Sequence, residues 1–217
     1  EKLATPYGVA THNCHIELLQ QKSNNKYAAF FVKESEAITY HYEQVAEDPR
    51  IEHSLNLKMD EYGNVLESVS VVYPRLKTDE RLEDLPTDNL AARQAKEKGR
   101  SGQQKRWVLF DKNELTNDVI DAANYQLRKV WQTNTWEFTG IKPAGKIFTL
   151  AELADVYDIL AEIPYQQPPD GSSLQKRKVE QIKSLFYNKE LDGTLEPGQL
   201  AAHGISYEKY QLAFTPD

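Results

Sequence analysis

The alternation of apolar and polar positions is clearest between residues 51 and 75. Every second position is apolar on both arms of this stretch: Ile51, Leu55, Leu57 and Met59 on the first arm and Val65, Val69, Val71 and Tyr73 on the second. The intervening Asp60–Asn64 contains Gly63 and Asn64, residue types that tolerate a positive φ, so the chain can reverse there. Such a pattern predicts a long β-hairpin with one half-buried face. Its arms of about ten residues exceed the usual five or six, which favours an extended sheet or a shell.

The preceding residues continue the strand pattern. Thr11–Leu19 predicts a first strand, with Cys14, Ile16 and Leu18 on one face, and 23–25 (Ser-Asn-Asn) predicts a turn. Residues 27–33 and 37–43 then predict a second hairpin, closed by the polar residues 34–36 (Glu-Ser-Glu).

The stretch 77–106 interrupts the strand pattern because it is rich in charge. Asp88–Lys98 within it predicts a short helix, since Ala, Arg, Gln, Lys and Glu dominate there and all favour helices. Pro86 and the residues 99–102 (Gly-Arg-Ser-Gly) flank that helix. We interpret the stretch as a solvated surface insertion between strands, and an arm that binds a partner is the alternative.

Strands are predicted again after the insertion, at 107–111 and 133–139. The residues between them, 117–132, have weak helical spacing. Leu174–Tyr187 is ambiguous, because its apolar positions suit either a helix or a strand.

One helix has a clear start and a clear stop. Thr149 and Glu152 form a capping-box pattern, in which each side chain can bond the backbone N–H of the other residue. Apolar residues follow at helical spacing as far as Ile163, and Pro164 marks the end. The chain therefore divides by prediction into a β-hairpin region (1–76), a charged surface insertion (77–106) and a region of mixed strands (107–217) with a helix near 149–163 and a terminal strand near 207–214.

Composition narrows the functional classes. The 217 residues suffice for one large domain or two small ones. The net charge of −7 argues against binding nucleic acid through its phosphates, which requires a basic surface. Cys14 is the single cysteine, so no internal disulfide can form. No apolar run reaches the roughly 20 residues of a membrane helix, and no signal peptide opens the chain. Because the chain starts at Glu1 and stops just after a strand-like run, we expect a piece of a longer polypeptide.

A metal site at the first strand is the most tempting chemical candidate. His12 and Cys14 share a face of a strand, but His15 points to the other face. Structural zinc needs four ligands, and nothing in the sequence brings His41 or His53 close enough to complete a set. A Cys–His nucleophile pair lacks any flanking signature, so we expect Cys14 to be a small buried side chain.

Other candidate groups do not form a recognisable site in the sequence. Carboxylates such as Asp60, Asp79, Glu83 and Asp84 are expected in a chain with 33 acidic residues. The glycines occur singly, without a phosphate-binding loop, and Lys176–Lys178 is more typical of a solvated face. Trp107, Trp131 and Trp136 would suit a sugar-binding groove, although packing is the usual role of Trp. We therefore predict no catalytic residue, no metal ligand and no cofactor.

Several blocks of the sequence resemble one protein family, in that family's order and across nearly the whole chain. They look like the middle region of the B component of bacterial insecticidal Tc toxin complexes, and the hairpin motif at Asp60–Leu66 is similar to the tyrosine–aspartate repeats of Rhs proteins. The blocks are Tyr7–Ile16 (YGVATHNCHI), Ile38–Glu43 (ITYHYE), Asp48–Ile51 (DPRI), Leu55–Leu57 (LNL), Asp60–Leu66 (DEYGNVL), Thr135–Gly140 (TWEFTG), Ala161–Tyr165 (AEIPY) and Tyr207–Pro216 (YEKYQLAFTP).

This resemblance implies a fold and a role. The B component joins a C component to build a hollow, β-walled Rhs-type shell, a cocoon that encloses the toxic enzyme of the C component before translocation. A propeller elsewhere in the B component docks on the pore-forming A component. The resemblance implies a secreted, non-enzymatic wall segment that is mainly β, with long antiparallel strands, hairpins and one or two inserted helices. It implies no nucleic-acid partner and no direct membrane insertion.

Two other functions remain open at the level of the sequence. One is a β-rich recognition module that binds glycans through exposed Trp and Tyr. The other is a hydrolase whose site has no sequence signature.

Overall fold

Most of the chain is β-strand. The computed structural model describes residues 6–42, 46–77, 82 and 84–212. Its strands are β1 (Gly8–Gln20), β2 (Ala29–His41), β3 (Arg50–Met59), β4 (Val65–Val72), β5 (Trp107–Leu115), β6 (Val119–Ile120), β7 (Tyr125–Gln126), β8 (Val130–Thr139), β9 (Ala161–Ile163), β10 (Gln175–Phe186) and β11 (Ser206–Gln211), and its helices are α1 (Leu90–Gln104), α2 (Leu150–Leu153) and α3 (Val156–Ile159). The predicted fold class, mainly β with helices inserted between strands, is confirmed.

Nine of the strands in the described residues belong to one sheet. Hydrogen-bonded neighbours follow the order β1-β2-β3-β4-β5-β8-β10-β11, and β9 also pairs with β10. The β1–β2, β2–β3, β5–β8, β8–β10 and β10–β11 pairs are antiparallel, whereas β9–β10 is parallel. Strands that follow one another along the chain therefore mostly pair with each other, as in hairpins and meanders.

The first two strands are longer than the sequence pattern predicts. The predicted turn is confirmed, since Ser23 has a φ of 33° and the N–H of Asn25 donates to the Lys22 carbonyl at 2.5 Å. The prediction of a second hairpin closed by residues 34–36 is wrong, because β2 continues through these residues without reversing. Asn13 pairs with Glu36 and Cys14 with Glu34, so Ser35 is the extra residue of a β-bulge. Residue 43, at the end of the predicted strand, lies outside the described residues.

The long hairpin predicted from the alternation is present as β3 and β4. Gly63 adopts the predicted positive φ, at 84°. The alternation marks the buried face, where Leu55, Val69, Val71 and Tyr73 are almost fully inaccessible to solvent.

Helix α1 extends six residues beyond the predicted end at Lys98. Its first turn is capped by Asn89, whose side chain accepts from the N–H of Ala92. The helix continues through 99–102, and Gly99 lies against Leu82, where a Cβ would approach the Leu82 Cδ2 to 3.2 Å. This glycine therefore permits close packing rather than ending the helix.

The helix suggested by the spacing in 117–132 is wrong. Residues 119–120 and 125–126 instead form the small β6–β7 hairpin. The Asp121 Oδ1 accepts from the N–H groups of Ala123 and Asn124 at 2.8 and 2.9 Å. Such local side-chain bonds stabilise a turn in place of a helix.

The capping box at Thr149 is confirmed, but the prediction of one continuous helix over 149–163 is wrong. Both reciprocal bonds between Thr149 and Glu152 are present at the start of α2. Asp155, with φ −114° and ψ 10°, separates α2 from α3, and Leu160 is extended. The N–H of Ala161 then donates to the Leu174 carbonyl, so pairing with the sheet replaces the last helical turns.

Two strands lie in the last part of the described chain. The ambiguous stretch 174–187 contains strand β10, which lies between β8 and β11. The predicted terminal strand corresponds to β11, and its positions 213 and 214 lie outside the described residues.

The chain divides into two compact units. The described residues of Glu1–Asn56 and Ser70–Val108 form the first unit, and those of Leu57–Val69 and Leu109–Asp217 form the second. The first buries Leu55, Val71, Tyr73 and Val108, and the second buries Val69, Phe110, Trp136, Phe138, Phe148, Leu153, Val156, Leu160, Phe186 and Leu200. The division into 1–76, 77–106 and 107–217 stays a prediction.

Candidate functional site

The histidines and the cysteine of β1 do not converge. His12 Nδ1 lies 2.7 Å from Glu34 Oε2, across the β1–β2 pair. Cys14 is exposed, so its expected burial is wrong, because every residue of β1 is exposed. Within the part of the chain that the structure describes, no group of three or more His, Cys, Asp or Glu side chains could hold a metal ion.

Asp60, one of the candidate carboxylates, organises the β3–β4 turn. Its Oδ1 accepts from the N–H groups of Tyr62 and Asn64 at 2.9 and 2.8 Å, and its Oδ2 accepts from Asn64 Nδ2 at 2.9 Å. Burial raises the pKa of Asp60, but these bonds and the charge of Arg128 outweigh it, so the pKa lies below its usual value. An aspartate held ionised in this way is a structural acceptor. Asp84 is exposed, and Asp79 and Glu83 lie outside the described residues.

Arg128 connects this turn to the β6–β7 hairpin. Its Nε and Nη2 donate to both carboxylate oxygens of Asp118, at 3.0 and 2.6 Å, and Nη2 also donates to Glu61 Oε1 at 3.1 Å. The hydrogen bond to Asp118 raises the pKa of Arg128 and lowers that of Asp118. The guanidinium lies 5.2 Å from the centre of the Tyr62 ring. Sequence reasoning missed Arg128, because its partners are distant along the chain.

An aromatic cluster surrounds Tyr157 in the second unit. Its ring centre lies 4.9 Å from that of Phe110 and 5.1 Å from that of Trp136, and Phe110 stacks on Phe138 at 5.1 Å. Lys176 is buried over this cluster, with Nζ 3.6 Å from the Tyr157 ring centre and donating to the Tyr157 carbonyl at 2.8 Å. The cluster is therefore a filled core in which a lysine covers the tyrosine ring.

The basic triplet 176–178 is part of this packing rather than a solvated face. Arg177 Nη2 donates to the buried Glu137 Oε2 at 2.6 Å, and Lys178 Nζ lies 5.1 Å from the Trp136 ring centre. All three side chains thus have partners within the chain.

The three tryptophans occupy different environments. Trp136 is buried in the aromatic cluster, and Trp131 is half-buried beside Gly198, where an added Cβ would lie 3.5 Å from its ring. Trp107 is 42% exposed, but Lys105 Nζ lies 3.7 Å above its ring. Neighbouring side chains thus cover ring faces of Trp136 and Trp107. The covered faces cannot stack on a sugar.

A polar relay crosses the strands of the first unit. Asn13 of β1 donates to Glu36 Oε1, and Glu36 Oε2 lies 3.2 Å from His53 Nε2. His53 Nδ1 lies 3.1 Å from the hydroxyl of Tyr73, just after β4, and His53 is completely buried. Burial lowers the pKa of His53, partly offset by the hydrogen bond and the charge of Glu36. The sequence contained a signal for this burial, because His53 shares the period-2 face of Leu55.

A shallow hollow of about 280 Å³ lies in the first unit. It is lined by His41, Arg50, Ile51, Glu52 and Val72. His41 Nε2 and Glu52 Oε2 are 3.6 Å apart, and both side chains are about half exposed. This exposed pair has no hydroxyl or thiol nucleophile beside it in the lining, so the hollow lacks the parts of a nucleophilic site.

Comparison with solved structures defines the fold class. The chain is similar to the crystal structure of TcdB2-TccC3, with a TM-score of 0.63 and 21% sequence identity over 94% of this chain. It covers 9% of the length of that solved chain. Residues 1–128 match the family described as insecticide toxin TcdB middle/C-terminal region, and the chain belongs to this family of insecticidal toxin components. No curated protein sequence matches it. Among the described residues, none of the helices has the length and apolar character required to cross a bilayer.

Proposed function

We propose that this chain is a structural segment of the B component of a Tc toxin, and that it forms part of the wall of the hollow cocoon around the toxic enzyme of the C component. The observation that carries the proposal is the extended antiparallel sheet of a TcdB-family chain, with an exposed strand at each end of its order. An exposed edge strand can pair with a further strand, which is how a wall is continued.

An apolar patch on β1 and β2 supports a wall contact at one end of this order. Ile16 lies opposite Val32, and Leu18 lies opposite Phe30, so the four side chains share one face. Each is between 49% and 62% exposed. Grouped apolar side chains left in solvent usually mark an interaction surface.

The proposed role is non-enzymatic and needs neither a metal nor a cofactor. The partners are the C component, as second half of the shell and source of the cargo, and the A component, through other regions of the parent chain. The assembly is secreted, and this segment contacts neither nucleic acid nor the membrane interior.

Assembly of the parent protein tests the proposal. Leu18→Asp in the parent B component, co-expressed with its C component, should reduce the yield of hollow particles in electron micrographs, because it charges the apolar patch. Lys98→Asp is the control, since it introduces the same residue on the exposed helix α1 and should leave the yield unchanged. Normal particle yields with Leu18→Asp would contradict a wall contact at this patch.

A further inference from the structure

The relay described above joins four successive strands of the first unit. Asn13 belongs to β1, Glu36 to β2 and His53 to β3, and Tyr73 directly follows β4. We propose that this relay is an acid-sensitive joint, which secures the pairing of β1 to β4 at neutral pH and loosens when His53 takes up a proton. This inference concerns the first unit itself and does not depend on the shell role.

The hydrogen-bond chemistry fixes which imidazole nitrogen carries the proton. An ionised Glu36 carboxylate can only accept, so the proton of neutral His53 is on Nε2 and is donated to Glu36. Nδ1 then accepts from the hydroxyl of Tyr73. When a proton from solvent adds to Nδ1, that atom becomes a donor. Tyr73 must then turn its oxygen lone pair to Nδ1 and direct its own proton to another acceptor.

Charged groups lie on two sides of this relay. Glu36, on β2, contacts His53 and favours the imidazolium. On the Tyr73 side, the guanidinium of Arg106 lies 6.0 Å from the Tyr73 ring centre. On the shared face of β3 and β4, Leu55 and Val71 are buried and apolar, so they offer an imidazolium no hydrogen bond.

Two exposed histidine–carboxylate pairs lie in the same strands. They are His12 with Glu34 and His41 with Glu52. Solvent-exposed pairs contribute little, whereas the burial of His53 removes all of its hydration. The buried histidine therefore determines the sign of the effect.

The direction of the pH effect follows from linkage. Because the pKa of His53 in the folded protein lies below its ordinary value of 6.5, the unfolded or opened state binds the proton more readily. Stability of the unit is complete above about pH 6.5 and falls as the pH decreases below it.

Amide hydrogen exchange on the 217-residue chain tests the joint. Peptides from β2 and β3 are compared at pH 7.5 and 5.5, after correction for intrinsic exchange rates. Protection should fall severalfold in the wild type at the lower pH, because the opened state binds the proton more readily than the buried imidazole does. His53→Gln should remove this fall, because glutamine does not titrate, and the control His12→Gln should keep it. An equal fall in the His53→Gln protein would overturn the proposal.

Direct titration of the imidazole gives a second readout, independent of whether His53→Gln folds. In NMR spectra of the wild-type chain, His53 should show the Nε2–H tautomer at pH 7.5. At pH 6.0 its ring should also be protonated to a smaller extent than an ordinary histidine, which is mostly protonated at that pH. A His53 ring that titrates at pH 6.5 or above would refute the joint.

Discussion

Individual carboxylates in this chain act mainly as acceptors for turns and loops. Asp48 is the clearest example, since it is only 3% exposed and accepts from the N–H groups of Leu76 and Lys77 at 2.9 and 3.1 Å and from Arg75 Nε at 3.1 Å. Burial raises its pKa, but these donors together outweigh burial and hold the pKa below its usual 3.8. Asp48 therefore connects the residues before β3 to those after β4.

Loss of the Asp48 carboxylate should destabilise the first unit strongly. Asp48→Ala leaves two backbone N–H groups and a largely buried guanidinium without this acceptor, so we expect a loss of about 3 kcal/mol in urea unfolding at pH 7. Asp84→Ala, at an exposed aspartate, should change stability by less than about 0.5 kcal/mol. Similar effects of the two substitutions would contradict this role.

The same carboxylate should contribute to acid unfolding. Since the folded-state pKa is depressed, the stability that Asp48 provides is present above about pH 4 and is lost as the pH falls through the lowered value. Between pH 5 and pH 2, unfolding free energies of Asp48→Asn should therefore decrease less steeply than those of the wild type. Parallel curves would show that Asp48 is not linked to the acid transition.

Gly140 is a residue whose side-chain position is blocked by backbone. It has a φ of 78°, and a Cβ there would lie 2.1 Å from the Ser173 carbonyl oxygen. Gly140→Ala should cost about 3 kcal/mol or more in chemical denaturation, because strain and a backbone clash combine. Gly145→Ala is the matched control, since the nearest atom to its Cβ would be 4.0 Å away. A tolerated Gly140→Ala would mean that this backbone can move apart at little cost.

At the scale of elements, the sequence predicted the structures that residues close together in the chain determine. The β3–β4 hairpin follows from alternating residues around a turn with Gly63, and the start of α2 follows from the reciprocal bonds of Thr149 and Glu152. Both depend on interactions within a few residues. The prediction of the fold class succeeded for the same reason.

The errors arose where partners distant in sequence decide the structure. Residues 34–36 have turn-forming chemistry, but pairing along all of β1 keeps β2 extended and leaves Ser35 as a bulge. A different error concerns 117–132, where the spacing is weakly helical but local bonds to Asp121 form a turn, a local signal that the helical interpretation overlooked. The contacts of Arg128 with Asp118 and Glu61 could not be predicted, because these two carboxylates come from separate hairpins.

Helix α1 offers a test of how its two interior glycines differ. Gly102 has no neighbour within 4 Å of a Cβ, so Gly102→Ala should stabilise the helix by about 0.5 to 1 kcal/mol through helix propensity. Gly99→Ala should gain less, because Leu82 must move to admit the methyl group. Circular dichroism at 222 nm during thermal unfolding compares the two variants, and a larger gain for Gly99→Ala would contradict the packing of Leu82 against this helix.

At the scale of the whole molecule, the sheet order ends on two exposed strands. All described residues of β1 and of β11 are exposed. Such edges promote association between sheets unless another chain segment covers them. A TcdB-family segment with these edges is suited to continue into a larger wall, as proposed above.

The isolated 217-residue chain should therefore self-associate. We expect its sedimentation coefficient to rise with concentration, and Ile16→Lys should weaken that rise because it charges the apolar patch at β1. Ile120→Lys is the control, since it changes a similarly exposed isoleucine in the small β6–β7 hairpin. A chain that stays monomeric at all concentrations would indicate that its edges do not promote association.

The most direct test of the wall is a cryo-electron microscopy map of the parent B component assembled with its C component. If this chain is a wall segment, the map should show a hollow particle in which β1 and β11 each hydrogen-bond to a further strand of the wall. A map in which this chain forms a separate appendage, with both edge strands open to solvent, would contradict it.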